Sequence, residues 1–296
     1  MKSITTVFAS AAVLALASCV SVPRDAGTSN VQQTMTRVGG PSVEWRAQPA
    51  TSDDERIAAM LRNELVADDA VAIAMVNNPR LQVTLAELGI ARADLMQAST
   101  ITNPVFEFEI RFPGAPFRPY ELRLAQSLIE LIQLPRRRAL GRAAFDAAQM
   151  RVSSSVLRFA GDVRSAWFEL VAAAQHVALS RGILQSAQTA ADVALRQHRA
   201  ENITDLDLEN EQALYEQSKL DLARAEQRVL LAREVLVRSM GLRNAVTEWR
   251  VPSTFPELPE SELDQQGLER LAAAQRLDLA IARRELEVAQ RQVPLT

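Results

Sequence analysis

The sequence predicts a mainly α-helical protein with a small β part, in which a long antiparallel coiled-coil helical hairpin is joined to one amphipathic β-hairpin. Three observations carry this expectation. Apolar and small residues recur at seven-residue spacing through two long stretches, Val156 to Ala194 and Leu208 to Ser239. Between Asn103 and Ala125 the period drops to two. Of the 296 residues 48% are hydrophobic but only 5% aromatic, and 10 are glycine, a balance that suits long, closely packed helices. The length allows one large domain or two ordinary ones with a substantial core. The net charge of -3 is the small difference between 33 basic and 36 acidic residues, so no global field points to nucleic acid.

Residues 1–18 read as a secretory signal: Lys2 supplies a short positive region, and Val7 to Ala17 is apolar with small residues. Leu16-Ala17-Ser18-Cys19 looks like a bacterial lipobox, in which the chain is cut before Cys19 and that cysteine is acylated. Cys19 is the only cysteine, which rules out an intramolecular disulfide, and lipidation accounts for an unpaired thiol in an exported chain. A plain signal with an incidental cysteine is the alternative. Val20 in place of Asp after the cysteine resembles an outer-membrane sorting address. Residues 19–55 carry Pro23, Gly27, Gly39, Gly40, Pro41 and Pro49 among polar residues, with neither helical nor strand period. They are expected to form a lipid-anchored arm or tether ahead of a domain over 56–296.

The first helix is expected to begin near Ala67-Asp68-Asp69, whose acidic residues suit a helix amino end, and to run to about Gln97 with a kink at Pro79. Asn103-Pro104 closes it. Phe106, Phe108, Ile110 and Phe112 then share one face of an extended run, and Glu107, Glu109 and Arg111 the other. Pro113-Gly114-Ala115-Pro116 turns the chain, after which Tyr120, Leu122 and Leu124 oppose Glu121 and Arg123. Each arm has about the 9 to 11 residues that a tilted strand needs to cross a bilayer, with the apolar set lipid-facing and the charged set lumen-facing. A half-buried hairpin in a soluble domain fits the pattern equally well.

The longest helix is expected from Arg136, after Pro135, to about His198, a length of roughly 90 to 95 Å. Val156, Val163, Leu170, Val177, Leu184 and Ala191 form one series of sevens, and Ala166, Ala173, Ser180, Ala187 and Ala194 a small-residue series beside it. The helix breaks at Ala200-Glu201-Asn202-Ile203, and Thr204 with Asp207 resembles a capping box. A second helix then repeats the pattern with Leu208, Tyr215, Leu222, Val229 and Leu236 beside Ser218, Ala225, Ala232 and Ser239. Two long helices of matching period across a short turn predict an antiparallel hairpin. Gly241 ends it, Pro252, Pro256 and Pro259 mark a linker, and a further helix starts near Ser261. Aligning Leu81 with Leu279 sets Ala74 on Ala272, Glu87 on Glu285 and Ala91 on Ala289. The tail therefore reads as the start, 261–296, of a second copy of a first repeat spanning 67–241.

These residues resemble the TolC-like outer-membrane factors, the exit ducts of tripartite efflux pumps and of type I secretion. The likeness covers about Ala67 to Gln292. It rests on Ala70-Val71-Ala72-Ile73-Ala74 leading to Asn77-Asn78-Pro79-Arg80-Leu81, on Asn103-Pro104 before the strand, and on Leu124-Ala125-Gln126-Ser127 with Arg136-Arg137-Arg138. It continues through Asn202-Ile203-Thr204-Asp205-Leu206-Asp207-Leu208 and Arg276-Leu277-Asp278-Leu279, while Leu131-Ile132-Gln133-Leu134-Pro135-Arg136 looks closest to the branch serving metal-cation pumps. The resemblance implies a homotrimer in which each protomer gives four strands to a shared twelve-stranded barrel and packs its helices into a periplasmic tunnel. It implies a passive duct for small molecules or metal cations, located in the Gram-negative outer membrane among its lipids and coupled through a periplasmic adaptor to an inner-membrane transporter. The adaptor would meet the helical tip at Ala200, Glu201, Asn202, Ile203 and Thr204. The second β-hairpin and second long helix pair of the family are missing from the sequence, which reads as a truncation after the first repeat, and no gate residue carries over. Three copies with two strands each would give only six, fewer than the eight of the smallest bacterial barrels, so the 296 residues are not expected to form a normal duct unaided.

No enzyme is expected, and no cofactor. His176 and His198 are too far apart on one helix for a shared metal site. No glycine-rich phosphate loop, nucleophile elbow or ligand-spaced cluster occurs. The Arg136-Arg137-Arg138 run reads as a solvated or headgroup-facing cluster rather than a nucleic-acid site. The competing functions are a lipid-anchored coiled-coil scaffold of the periplasm and an inactive fragment of a duct.

Overall fold

The structure is a computed structural model that describes residues 27–43, 51–110, 120–242, 249–258 and 267–293. Cys19 with its lipobox, Arg111 and Phe112 lie outside the described residues. Along the chain come helices α1 (Thr28–Val38), α2 (Thr51–Arg62), α3 (Ala67–Asn77) and α4 (Pro79–Ser99), then strands β1 (Val105–Ile110) and β2 (Tyr120–Ala125). Helices α5 (Leu128–Arg199), α6 (Asp205–Ser239), α7 (Leu268–Gln275) and α8 (Leu277–Gln292) follow. The fold is mostly helical with one two-stranded sheet. It divides into two compact units, one built from the segments up to Val31, Thr84–Ser154 and Ala273 onward, the other from Gln32–Val83 and Ser155–Ala272.

Four boundaries differ from those expected. Helix α2 precedes Ala67, where the first helix was expected, and its Ile57 and Leu61 are buried at i, i+4 spacing. The amino-terminal arm contains helix α1, where no period was legible. The helix is short, and its buried side chains Val31, Thr34 and Met35 occupy a single i, i+3, i+4 set. That burial stabilises a segment whose own composition does not favour helix. The first long helix is interrupted rather than kinked: Asn78 takes an extended conformation (φ -79°, ψ 117°) and Pro79 opens a new helix. At that first position proline forfeits no backbone bond, because the first amides of a helix have no intrahelical partner. Finally, α5 begins at Leu128 and runs through Pro135. The carbonyl of Leu131 loses its helical donor to the proline ring at a residue that is 40% exposed, where a lost bond costs less than in a core.

In the first unit α4 and α5 are tied at their ends. The Arg138 guanidinium donates twice to the Ser99 carbonyl, at 3.1 and 3.0 Å, satisfying the last residue of α4. The Arg92 guanidinium stacks over the Phe145 ring at 5.5 Å. Helix α8 is held to α5 by an Arg151–Glu285 ion pair at 3.4 Å and by Arg291 donating to the Ala139 carbonyl at 3.2 Å. These pairs are exposed, so each contributes at most about 1 kcal/mol.

In the second unit Ala70, Val71, Ile73, Ala74 and Met75 of α3 are all buried, which explains its apolar composition on every side. The Trp167 indole N–H donates to the Leu65 carbonyl at 2.7 Å, and the Leu65 amide donates to the Arg250 carbonyl at 2.8 Å. The largest polar junction is Asn77-Asn78. The Asn78 side-chain amide donates to the Ser239 carbonyl at 2.7 Å while its oxygen accepts from the Arg80 amide at 2.8 Å. Asn77 donates to the Met240 carbonyl at 3.2 Å. One asparagine thus caps the start of α4 and the end of α6 together. Gly241 (φ 70°) completes that end as a left-handed cap, its amide bonded to the Arg238 carbonyl and that of Leu242 to Val237. A Cβ at Gly241 would stand 2.7 Å from the Asn77 carbonyl oxygen.

The long helices of this unit form the expected antiparallel hairpin. Every residue of both seven-residue series in α5 and α6 is buried or half-buried, with Val156, Val163 and Leu236 fully inaccessible. Val193 and Gln197 share a groove with Ile203 and Asp207, Ile183 and Ala187 share one with Leu214 and Ser218, and Arg181 pairs with Glu226 at 3.0 Å. Position falls along α5 as it rises along α6, which defines the antiparallel order. Helices α7 and α8 part at Arg276 (φ -62°, ψ 114°), the residue that the Leu81–Leu279 alignment sets against Asn78. The helix-break-helix pattern of α3 and α4 recurs there.

Candidate functional site

Two surfaces stand out, one in each unit. The first is the β-hairpin. Its antiparallel register pairs Phe106 with Leu124, Phe108 with Leu122 and Ile110 with Tyr120, and alternates these with Glu107 opposite Arg123 and Glu109 opposite Glu121. One face is therefore apolar and the other charged, as the period of two requires. Arg123 bridges the charged face, reaching Glu107 at 3.1 Å and Glu121 at 3.0 Å. Every residue of β1 is exposed, and on the apolar face Phe106 and Leu124 are 64% and 69% accessible. An isolated two-stranded hairpin is marginal in water, and a face of this composition needs an apolar surrounding. The described strands have six residues each, shorter than the arms expected from the sequence, and residues 111–119 between them lie outside the description.

The ends of the hairpin are fastened to the start of α5. The Thr102 hydroxyl donates to Glu130 Oε2 at 2.6 Å, and the Gln126 side-chain amide donates to the Thr102 carbonyl at 3.2 Å. The hydrogen bond from the Thr102 hydroxyl holds the Glu130 carboxyl below the usual carboxylate range.

The second surface is the helical tip. Helix α5 ends in a left-handed cap formed by Glu201 (φ 57°), with the Glu201 amide on the His198 carbonyl and the Asn202 amide on Gln197. Thr204 then caps α6. The Asp207 amide donates to the Thr204 hydroxyl oxygen at 3.2 Å, and the Asp207 carboxylate accepts the Thr204 amide at 3.1 Å. That carboxylate also accepts the Thr204 hydroxyl at 2.7 Å, and these bonds, the hydroxyl's first, hold the Asp207 carboxyl below its ordinary range. His198 contacts Asp205 across the turn. The geometry fixes Ala200, Glu201, Asn202 and Thr204 as exposed backbone of defined shape, with Ile203 half-buried beneath them.

The structure brings the predicted hairpin residues within Phe106–Ile110 and Tyr120–Leu124 onto two faces and the predicted tip residues into one turn. Sequence reasoning missed the Asn78 junction and the Thr102–Glu130 tie; the Asn77-Asn78-Pro79 string was a signal for the first, without its partner helix. Among the described residues no group of three or more His, Cys, Asp or Glu is placed to hold a metal ion. No described helix is long and apolar enough to cross a membrane, a test that does not bear on β-barrels.

No protein-family model matches the sequence, and no curated protein does. Solved structures do. A membrane protein from Pseudomonas aeruginosa superimposes with a TM-score of 0.60 at 19% identity over 85% of this chain and 62% of that one. CusC, a protein described through the conformational changes that accompany its folding and transmembrane channel formation, gives 0.62 at 17% identity over 85% and 61%. The CmeC outer membrane channel of Campylobacter jejuni gives 0.60 at 15% identity over 87% and 57%. The chain has the TolC-like outer-membrane factor fold. It spans under two thirds of the length of the structures it matches.

Proposed function

We propose that the chain supplies part of a protomer of an outer-membrane channel, a passive exit duct for small molecules or metal cations, and that these 296 residues do not form the duct unaided. In this reading Cys19 carries the lipid anchor and Phe106, Phe108, Ile110, Phe112, Tyr120, Leu122 and Leu124 face lipid. Glu107, Glu109, Arg111, Glu121 and Arg123 face a wet lumen, and copies of the chain assemble as a trimer. The tip from Ala200 to Thr204 meets a periplasmic adaptor that links the duct to an inner-membrane transporter. The observation that carries the proposal is the hairpin, apolar on one face, charged on the other and exposed on both. Its alternation is that of a barrel wall between lipid and water. The fold shared with outer-membrane channels supports the same reading.

The test is membrane fractionation of the full chain beside Cys19→Ala, with carbonate washing and crosslinking. Retention of both forms in the outer membrane, with a trimer band, is the expected result. Release of Cys19→Ala into the soluble periplasm would leave the lipid as sole anchor and favour a periplasmic scaffold.

A further inference from the structure

We infer that the first three turns of α5 form a membrane-surface collar, in which Leu128, Ile129 and Ile132 enter the acyl edge of a phospholipid leaflet and Arg136 holds a lipid phosphate. The inference rests on the reading that the adjoining hairpin lies in a membrane. Leu128, Ile129 and Ile132 are 71%, 68% and 78% exposed, an unusual density of bare aliphatic surface directly after β2. At 100° per residue Leu128, Ile132 and Arg136 stack at i, i+4 and i+8, with Ile129 beside them. The opposite side of the helix is already used by the protein. Glu130 is held there by Thr102, Arg138 by the Ser99 carbonyl, and Gly141 lies against Ala98 and Leu95.

The outward face thus has an order along the axis. The apolar residues come first, and Arg136 follows about 6 Å beyond Ile132 and about 12 Å beyond Leu128. With α5 rising away from the leaflet, this spacing leaves the guanidinium about 6–12 Å nearer water than the apolar residues, within reach of the phosphates. Arg136 is exposed, and its side chain has no ion pair or hydrogen bond among the described residues. Its planar fork matches a phosphate in bidentate fashion, and its stem can lie along the aliphatic strip. An apolar strip ending in an uncompensated cation fits an anionic lipid leaflet.

Nitroxides at Ile132→Cys and at Phe108→Cys, each in the full chain carrying Cys19→Ser and reconstituted in vesicles of phosphatidylcholine with phosphatidylglycerol, test the depth. Collision with oxygen should exceed collision with a water-soluble nickel chelate at both sites. In detergent, native mass spectrometry should show the dissociation constant for phosphatidylglycerol raised about fivefold by Arg136→Gln, the worth of one cation near an anionic surface, and raised less by Arg136→Lys, which keeps the charge without the planar fork. Lipid contact at Phe108 with water contact at Ile132 would overturn the collar and leave the channel reading standing; water contact at both would remove both. Shielding of Ile132 from both quenchers, by another copy or another protein, would overturn the collar as well. An unchanged dissociation constant in Arg136→Gln would remove the phosphate site.

Discussion

Asn78 shows how much one side chain contributes when it serves two helices. It is 4% exposed and links the start of α4 to the Ser239 carbonyl at the end of α6. Asn78→Ala removes the donor to the part-buried Ser239 carbonyl and the cap on the Arg80 amide, and about 2–3 kcal/mol of stability should be lost in denaturant unfolding. The two left-handed caps make an opposed pair. Gly241 needs its missing Cβ, because a side chain there meets the Asn77 carbonyl, so Gly241→Ala should destabilise by about 2 kcal/mol or more. Glu201 holds the same conformation with a Cβ, so Glu201→Gly should relieve about 1 kcal/mol of strain and slow amide exchange at the tip. The Asp207 cap adds a pH dependence of known sign. Its folded pKa lies below that of the unfolded chain, so its contribution is present above the ordinary carboxylate range and is lost as pH falls through the lowered folded value. Glu130, Asp278 and Glu287 are shifted the same way. Comparison with Asp207→Asn therefore isolates the tip: in acid the amide protection of Leu208 and its neighbours should converge between the two proteins.

Among the elements, legibility in the sequence tracks how local the cause of each structure is. The coiled-coil series from Val156 and Leu208 could be read because a repeat of sevens encodes burial continuously along the chain, and the capping box at Thr204 because both partners lie within one turn. The hairpin faces followed from the period of two. Helix α1 was not legible, since one turn of buried residues among glycines and polar residues sets no period. The break at Asn78 was misread as a kink because its reason is the end of α6, far along the sequence. Helix α5 passed through Pro135 because the bond is lost at an exposed residue, where it costs less than in a core, a condition no propensity encodes. The hairpin also carries a directional prediction. If its apolar face meets lipid, Phe108→Arg should cost about 2–4 kcal/mol at mid-depth and release the hairpin on carbonate washing. Glu109→Arg, on the charged face, should leave retention unchanged.

At the scale of the whole molecule, the unexplained feature is how much aliphatic surface the helical hairpin leaves bare. The inner seam between α5 and α6 accounts for Ala187, Ser218, Ala225 and Leu236, but Leu179, Ile183, Leu214, Leu230 and Leu231 are each at least half exposed. Scattered exposed leucines need no explanation, whereas a helical pair that lines an open groove with Leu179, Ile183 and Leu214 presents a face that further helices can cover. In the proposed trimer other copies supply those helices. Substituting Leu179 and Leu230 by Glu discriminates between covered and bare faces. On a bare surface each change shifts stability by no more than about 0.5 kcal/mol, and thermal unfolding of the chain in detergent should hardly move in either case. Buried between copies, the same carboxylates lose their water without gaining partners, and the crosslinked trimer should disappear from outer-membrane fractions while the monomer remains folded. A trimer band that persists in the Leu179→Glu, Leu230→Glu double variant would place these residues on the outside of the assembly and require its contacts to lie elsewhere on the chain.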